Sequence, residues 1–185
     1  MRSRISALLL SLAIAIPALA MTVAGVNLED HITVNGQPLA LNGAGLRKKL
    51  FIKVYVGGLY LAAKKSNPQT VTNTDAPRRM VMHFLYSVSK DQMCDAWKEG
   101  LEDNTKNASA EVKTNFATLC SWMEPIPKGN RLVLTYVPGI GTTVEINGKP
   151  KGTLPGKATS DAILATWIGP DPAPGQDFKN AVLGK

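Results

Sequence analysis

The chain has 185 residues, a formal charge of +7 and two cysteines, enough for one domain whose core needs neither metal nor a dense disulfide framework. Its lysines are scattered rather than blocked together, which argues against nucleic acid and leaves anionic lipids, anionic small molecules or acidic polymers as partners for the basic charge.

Residues 1–20, "MRSRISALLLSLAIAIPALA", place Arg2 and Arg4 before an apolar run and end in Ala18-Leu19-Ala20. That is the layout of a cleaved signal peptide, and the run at residues 5–16 is short of the roughly 20 residues that cross a bilayer. Export is therefore expected. The mature chain is expected to be a single soluble domain over residues 21–185. Loss of Arg2 and Arg4 lowers the formal charge from +7 to +5.

Asn35-Gly36 separates "DHITV" from "QPLAL" and is a strong signal for a two-residue hairpin turn. Strands are expected at residues 50–63 and 79–88, each rich in β-branched or aromatic side chains. Ser89-Lys90-Asp91-Gln92 has the form of a capping box and opens a helix with Met93, Ala96, Trp97 and Leu101 on one face. A second helix follows Ser109, with Val112, Phe116, Leu119, Cys120 and Met123 on one stripe. An antiparallel pair of these helices sets Cys94 beside Cys120. In an oxidising compartment the two are expected to form a disulfide, two buried thiols being the alternative.

A strand at residues 132–137 then turns through Pro138-Gly139-Ile140-Gly141 into "TTVEI", and Asn147-Gly148 turns that into "KPKGTL". A third helix is expected at residues 158–168 and a short one at residues 177–183. Strands joined by tight turns, with helices between and after them, give an α+β fold built on a largely antiparallel sheet.

Familiar catalytic and metal motifs are missing. His31 and His83 stand alone on expected strands, without second ligands at metal spacing, and there is no nucleophile elbow, P-loop or H-E-x-x-H. No cofactor or metal is expected. Asn107-Ala108-Ser109 fits a glycosylation sequon, but a turn between helices explains it equally well.

The most informative stretch is "LNGAGLRKKLFIKVYVGGLYLAA", residues 41–63. Read as extended from Leu46, it alternates Arg47, Lys49, Phe51, Lys53 and Tyr55 with Leu46, Lys48, Leu50, Ile52, Val54 and Val56. The second set reads as a core face. The lysines read as solubility devices on a strand, whereas Arg47 follows an apparent turn at Asn42-Gly43-Ala44-Gly45 that would let another group approach closely.

At these residues the chain resembles the chalcone isomerase superfamily, and more closely its bacterial exported branch, which makes a bacterial periplasm the expected destination. The resemblance continues through "FLYSVSKDQMCDAWKEG", "KGNRLVLTYVPGIGTTVEINGKPKG" and "SDAILATWIG", in order, over nearly all of residues 21–185. It implies an open-faced β-sandwich, a large antiparallel sheet backed by helices with a cleft between them. Members with this fold either close chalcones to flavanones or bind fatty acids without known catalysis.

Position by position, the resemblance puts the family's arginine at Arg47 and its late-helix threonine at Thr166, beside Trp167. The threonine that polarises substrate in true isomerases falls on Tyr55. The catalytic tyrosine falls near Asp91, where none is present, and Tyr86 is a weak substitute. The leading expectation is a non-catalytic exported protein that holds a small amphipathic anion, fatty-acid-like, with Arg47, Tyr55, Thr166 and Trp167 lining the cleft. Two alternatives stay open: an intramolecular lyase of the chalcone isomerase type, and a structural or partner-binding protein with a closed cleft and Arg47 in an internal ion pair.

Overall fold

A computed structural model describes residues 20–185, so the expected signal peptide lies outside the described residues apart from Ala20. A small hairpin, β1 (Ala20–Val23) and β2 (Val26–Glu29), precedes a seven-stranded antiparallel meander. Its strands are β3 (His31–Val34), β4 (Gln37–Lys49), β5 (Ile52–Leu61), β6 (Arg78–Phe84), β7 (Arg131–Val137), β8 (Gly141–Ile146) and β9 (Lys149–Leu154), hydrogen-bonded in chain order. The helices are α1 (Pro68–Asn73), α2 (Lys90–Asn104), α3 (Ala110–Trp122), α4 (Lys157–Ile168) and α5 (Gln176–Val182). This is the expected α+β fold, a curled sheet with helices against it. The β1/β2 hairpin and α1 are additions that the sequence reading lacks.

Local chemistry accounts for most of these elements. Ser89 accepts from the Gln92 backbone N–H while the Gln92 side chain accepts from Ser89 N–H, a complete capping box at the start of α2. Ser109 caps α3 by accepting from Val112 N–H, without the reciprocal bond. Asn35-Gly36 and Asn147-Gly148 take φ of +48°/+76° and +49°/+77°, the conformation that Asn and Gly tolerate best. Cys94 and Cys120 form a disulfide between α2 and α3, with Cα atoms 5.0 Å apart and a sequence separation of 26. Closing a loop of that length stabilises the fold by roughly 3–4 kcal/mol in the chain-entropy account.

The two sheet faces bury different cores. One packs Leu59, Phe84, Leu132, Val144 and Ile146 against Trp97, Phe116, Leu119, Ile163, Trp167 and Phe178 of the helices. The other sets Leu39, Leu41, Val56 and Tyr60 against Val26 and Leu28 of the small hairpin.

Two expectations in residues 41–63 are overturned. The stretch is not one extended strand: it is the β4–β5 hairpin, with Leu50 and Phe51 exposed at its turn. No Gly, Asn or Pro marks that turn, because Leu50 itself takes the positive φ, +54°. Asn42-Gly43-Ala44-Gly45 is not a turn but the middle of β4. Asn42 sits at a bulge between Leu41 and Gly43, buried, with its side chain bonded to Lys65 N–H and to the carbonyls of Lys65 and Val182.

The glycines of this hairpin serve helix packing. Gly45 and Gly57 are cross-strand partners, and a Cβ would stand 2.9 Å from the Phe178 ring at Gly45 and 2.5 Å from it at Gly57. Together they form a slot that admits Phe178 of α5 onto the sheet beside Tyr55, ring centroids 5.7 Å apart. Gly57→Val fills that slot, and overpacking of this kind destabilises by about 1–3 kcal/mol. Urea denaturation is expected to show a loss of that size with an unchanged slope; wild-type stability would contradict the slot.

Candidate functional site

Between the sheet and α2 and α4 lies a cavity of about 280 Å³, near the lower limit of typical small-molecule sites. β5 and β6 contribute Ile52, Val54, Tyr55, Met82 and Phe84 to it, while α2 and α4 contribute Met93, Trp97, Thr166 and Trp167. Its rim carries Arg47 and Lys49 from β4 and the exposed Asp95 and Glu99 from α2. Arg47, Tyr55, Thr166 and Trp167, singled out in the sequence, are thus brought to one cavity.

Hairpin register explains the first two. Arg47 and Tyr55 are direct cross-strand partners, and the pairing then slips so that Lys48 faces Lys53. The bulge leaves Val54 without a partner and aims both Val54 and Tyr55 at the cavity. Arg47 is half-buried, and among the described residues it has no carboxylate within ion-pair distance. The internal arginine ion pair of this fold belongs instead to Arg78, which meets Asp161 at 2.5 Å and lies 4.8 Å from the Tyr136 ring centroid. The ion pair that would favour a closed cleft is therefore not made by Arg47.

Tyr55 is buried beneath the helices. Its hydroxyl oxygen accepts from Trp167 Nε1–H at 3.1 Å, and its own proton makes no hydrogen bond among the described residues. Burial pushes the Tyr55 phenol up to about 12, against smaller downward effects of the Trp167 hydrogen bond and the Arg47 charge. At neutral pH it is a neutral donor.

Thr166 and Trp167 act differently from one another. The Thr166 hydroxyl donates to the Ile163 carbonyl at 2.8 Å, and its methyl group packs on Gly100 of α2, leaving only oxygen lone pairs for a ligand. Trp167 uses its N–H to orient Tyr55 and packs edge-on against Trp97 at 5.4 Å.

Trp97 is the residue that the sequence reading left in the helix core. Its ring is buried and lines the cavity, yet its Nε1–H has no hydrogen-bond partner among the described residues. An orphaned buried donor costs about 1–3 kcal/mol, and here it borders a space that a ligand acceptor could occupy. The only sequence signal was a tryptophan on a stripe of simple hydrocarbons. Asp91, near which the resemblance puts the family's tyrosine, is exposed in the first turn of α2 and does not line the cavity, whereas Tyr86 stands half-exposed at its edge. Among the described residues no group of three or more His, Cys, Asp or Glu side chains comes together as a metal site.

Comparison with known proteins places these features in a wider frame. A family model described as chalcone isomerase-like matches residues 20–184. The fold is similar to the crystal structure of a fatty-acid binding protein from Arabidopsis thaliana, with a TM-score of 0.70 and 18% identity over 89% of this chain and 96% of that one. At that identity the likeness is one of fold. No curated protein sequence matches the chain.

Tyr55→Phe keeps the ring but leaves the Trp167 N–H buried without an acceptor, an expected loss of about 1–3 kcal/mol in chemical denaturation. Because the folded-state phenol is raised above its ordinary value of 10.0, its contribution is complete below pH 10 and is lost as pH rises toward 12. Tyr60 and Tyr136 are also raised to about 12, so the readout is the difference between wild type and variant. Absorbance titration is expected to lose one late-ionising phenol in Tyr55→Phe; loss of one that ionises near 10 would contradict the burial account.

Proposed function

The chain belongs to the chalcone isomerase-like family, and from that premise we propose that it binds one small amphipathic carboxylate, a fatty acid of modest chain length, without transforming it. The observation that carries this reading is the convergence of three unspent donors on an apolar cavity: the Arg47 guanidinium, the Tyr55 hydroxyl and the Trp97 indole. A carboxylate is an acceptor with several lone pairs, and a charge-assisted bond to arginine is among the stronger hydrogen bonds. Ile52, Val54, Met82, Phe84 and Met93 provide walls for an acyl chain. The volume of about 280 Å³ fits a single chain better than a two-chain lipid. The fatty-acid binding of the structurally similar Arabidopsis protein supports the same ligand class.

No catalytic step is assigned to the cavity. Base-assisted ring closure of a chalcone requires a positioned base in the cleft; the Tyr55 phenol is held in its neutral form, and Asp91, near which the resemblance puts the family's tyrosine, does not line the cavity. Export is part of the proposal. The Cys94–Cys120 disulfide is compatible with an oxidising compartment, and no helix among the described residues is long and apolar enough to cross a membrane. A periplasmic location is the corresponding expectation.

Binding of decanoate, followed by quenching of tryptophan fluorescence, is expected to weaken about tenfold or more in Arg47→Gln, since hydrogen bonds to charged groups contribute about 1.5–3 kcal/mol. Binding of the uncharged alcohol of equal chain length is expected to be nearly unchanged by the substitution. Equal affinity of wild type for acid and alcohol would remove Arg47 from the site, and no binding of either would sink the ligand-binding reading.

A further inference from the structure

The large apolar side chains that stay exposed among the described residues are Met21, Leu50, Phe51, Tyr86 and Ile140. Leu50 and Phe51 are the most exposed, at 87% and 89%, and they sit together at the tip of the β4–β5 hairpin. Tyr86 belongs to the same end of the sheet, for its backbone N–H donates to the Val54 carbonyl at 3.2 Å. β6 pairs with β5 as far as Tyr55, and the Val54 carbonyl still accepts from Leu85 and Tyr86, so it is Lys48, Lys49, Ile52 and Lys53 that pair only within the hairpin and project past the sheet.

Turn formation does not explain Leu50-Phe51. The other two-residue turns of the meander use Asn-Gly, which suits positive φ, whereas leucine is disfavoured there. Leu50 nevertheless holds φ +54°. The tip thus combines an unfavourable backbone conformation with exposed apolar surface, and each alone would favour replacement by a polar turn.

Charge points to what the tip meets. Residues 47–53 contain Arg47, Lys48, Lys49 and Lys53 and no acid, and none of the four is in an ion pair among the described residues. Lys48 and Lys53 are direct cross-strand partners, a like-charge pairing that destabilises a hairpin in water. A surface rich in anions removes that repulsion. An apolar apex with a collar of lysines matches a bilayer interface, where apolar side chains enter the acyl boundary and ammonium groups stay with lipid phosphates.

We infer that the β4–β5 hairpin docks the protein on an anionic lipid bilayer, with Leu50 and Phe51 inserted and Lys48, Lys49 and Lys53 at the headgroups. The base of the same hairpin gives Arg47, Lys49, Ile52 and Val54 to the cavity, so docking turns the cavity mouth toward the membrane. The acids of that mouth, Asp95 and Glu99, stand on α2 rather than on the hairpin. Docking does not depend on which ligand the cavity holds.

The test uses residues 20–185, which contain both core clusters and every described element, pelleted with vesicles. One set contains phosphatidylglycerol and phosphatidylcholine, the other phosphatidylcholine alone. Wild type is expected to pellet with the anionic vesicles and to be released by high salt. L50N/F51G installs the Asn-Gly pair of the β3–β4 and β8–β9 hairpins and removes leucine from a positive φ, so it is expected to melt no lower than wild type while its membrane partition falls about tenfold or more, from loss of two apolar side chains. K48Q/K53Q is expected to lower partition to anionic vesicles about fivefold per lysine. Failure of wild type to pellet, or equal pelleting by L50N/F51G, would overturn the inference. A dimer abolished by L50N/F51G, without vesicle binding, would overturn it in favour of a second copy at the tip. Vesicle binding without decanoate affinity would leave docking standing and remove the fatty-acid reading, and the reverse result would do the opposite.

Discussion

The hydrogen bond from Trp167 Nε1 to the Tyr55 hydroxyl, 3.1 Å long and buried, ties the helix layer to the sheet inside the cleft. Without it, the indole donor and the phenol oxygen would both be polar groups enclosed by hydrocarbon, a costly arrangement on either side. With it, the Tyr55 ring is fixed between Phe84 and Phe178, at centroid distances of 5.6 and 5.7 Å. The phenol proton is left over for the cavity. Trp167, held in turn, gives Trp97 an edge-on neighbour at 5.4 Å. One contact between α4 and β5 therefore sets the direction of most of the polar chemistry available to a ligand.

The β4–β5 hairpin carries the other half of the design. Near its middle, Gly45 and Gly57 lack side chains so that Phe178 can lie on the sheet and brace Tyr55. Further along, a bulge turns Val54 toward the same cavity as Tyr55 and sets Arg47 beside it. At its end the hairpin leaves the sheet and exposes two apolar residues among lysines. Packing, ligand contacts and the outer surface are thus ordered along one ribbon, and a change of register by one residue would exchange the faces of all three.

The capping box, the Asn-Gly turns and the α2–α3 stripes were legible because each is a local rule with a short sequence signature. Ser89, Ser109, Asn35 and Asn147 all occupy the positions that the sequence implied. Leu50-Phe51 was not legible as a turn, since apolar residues in that place imitate the interior of a strand. The glycines at Gly43 and Gly45 suggested a turn for the opposite reason: their cause is α5, more than a hundred residues away in sequence, and no local pattern records it. Arg47 and Tyr55 were placed on one face by strand alternation and do share a face, but they do so as partners across a hairpin. Trp97 was read only as apolar, although the partner its N–H lacks becomes visible only when the surrounding helices and sheet are assembled.

The Trp97 indole is the internal sensor of the proposed ligand binding, and with three tryptophans in the chain its signal is directly observable. Nitrogen-15 correlation spectra of the indole N–H groups, recorded during titration with decanoate, follow Trp97, Trp167 and Trp122 separately. Trp122 lies outside the cavity, against Gly152, and serves as the control. The Trp97 signal is predicted to move downfield as its proton gains a carboxylate acceptor, with Trp167 shifting less and Trp122 unmoved. A Trp97 signal that stays fixed while decanoate binds would contradict the central claim that this cavity recognises a carboxylate through its unspent donors.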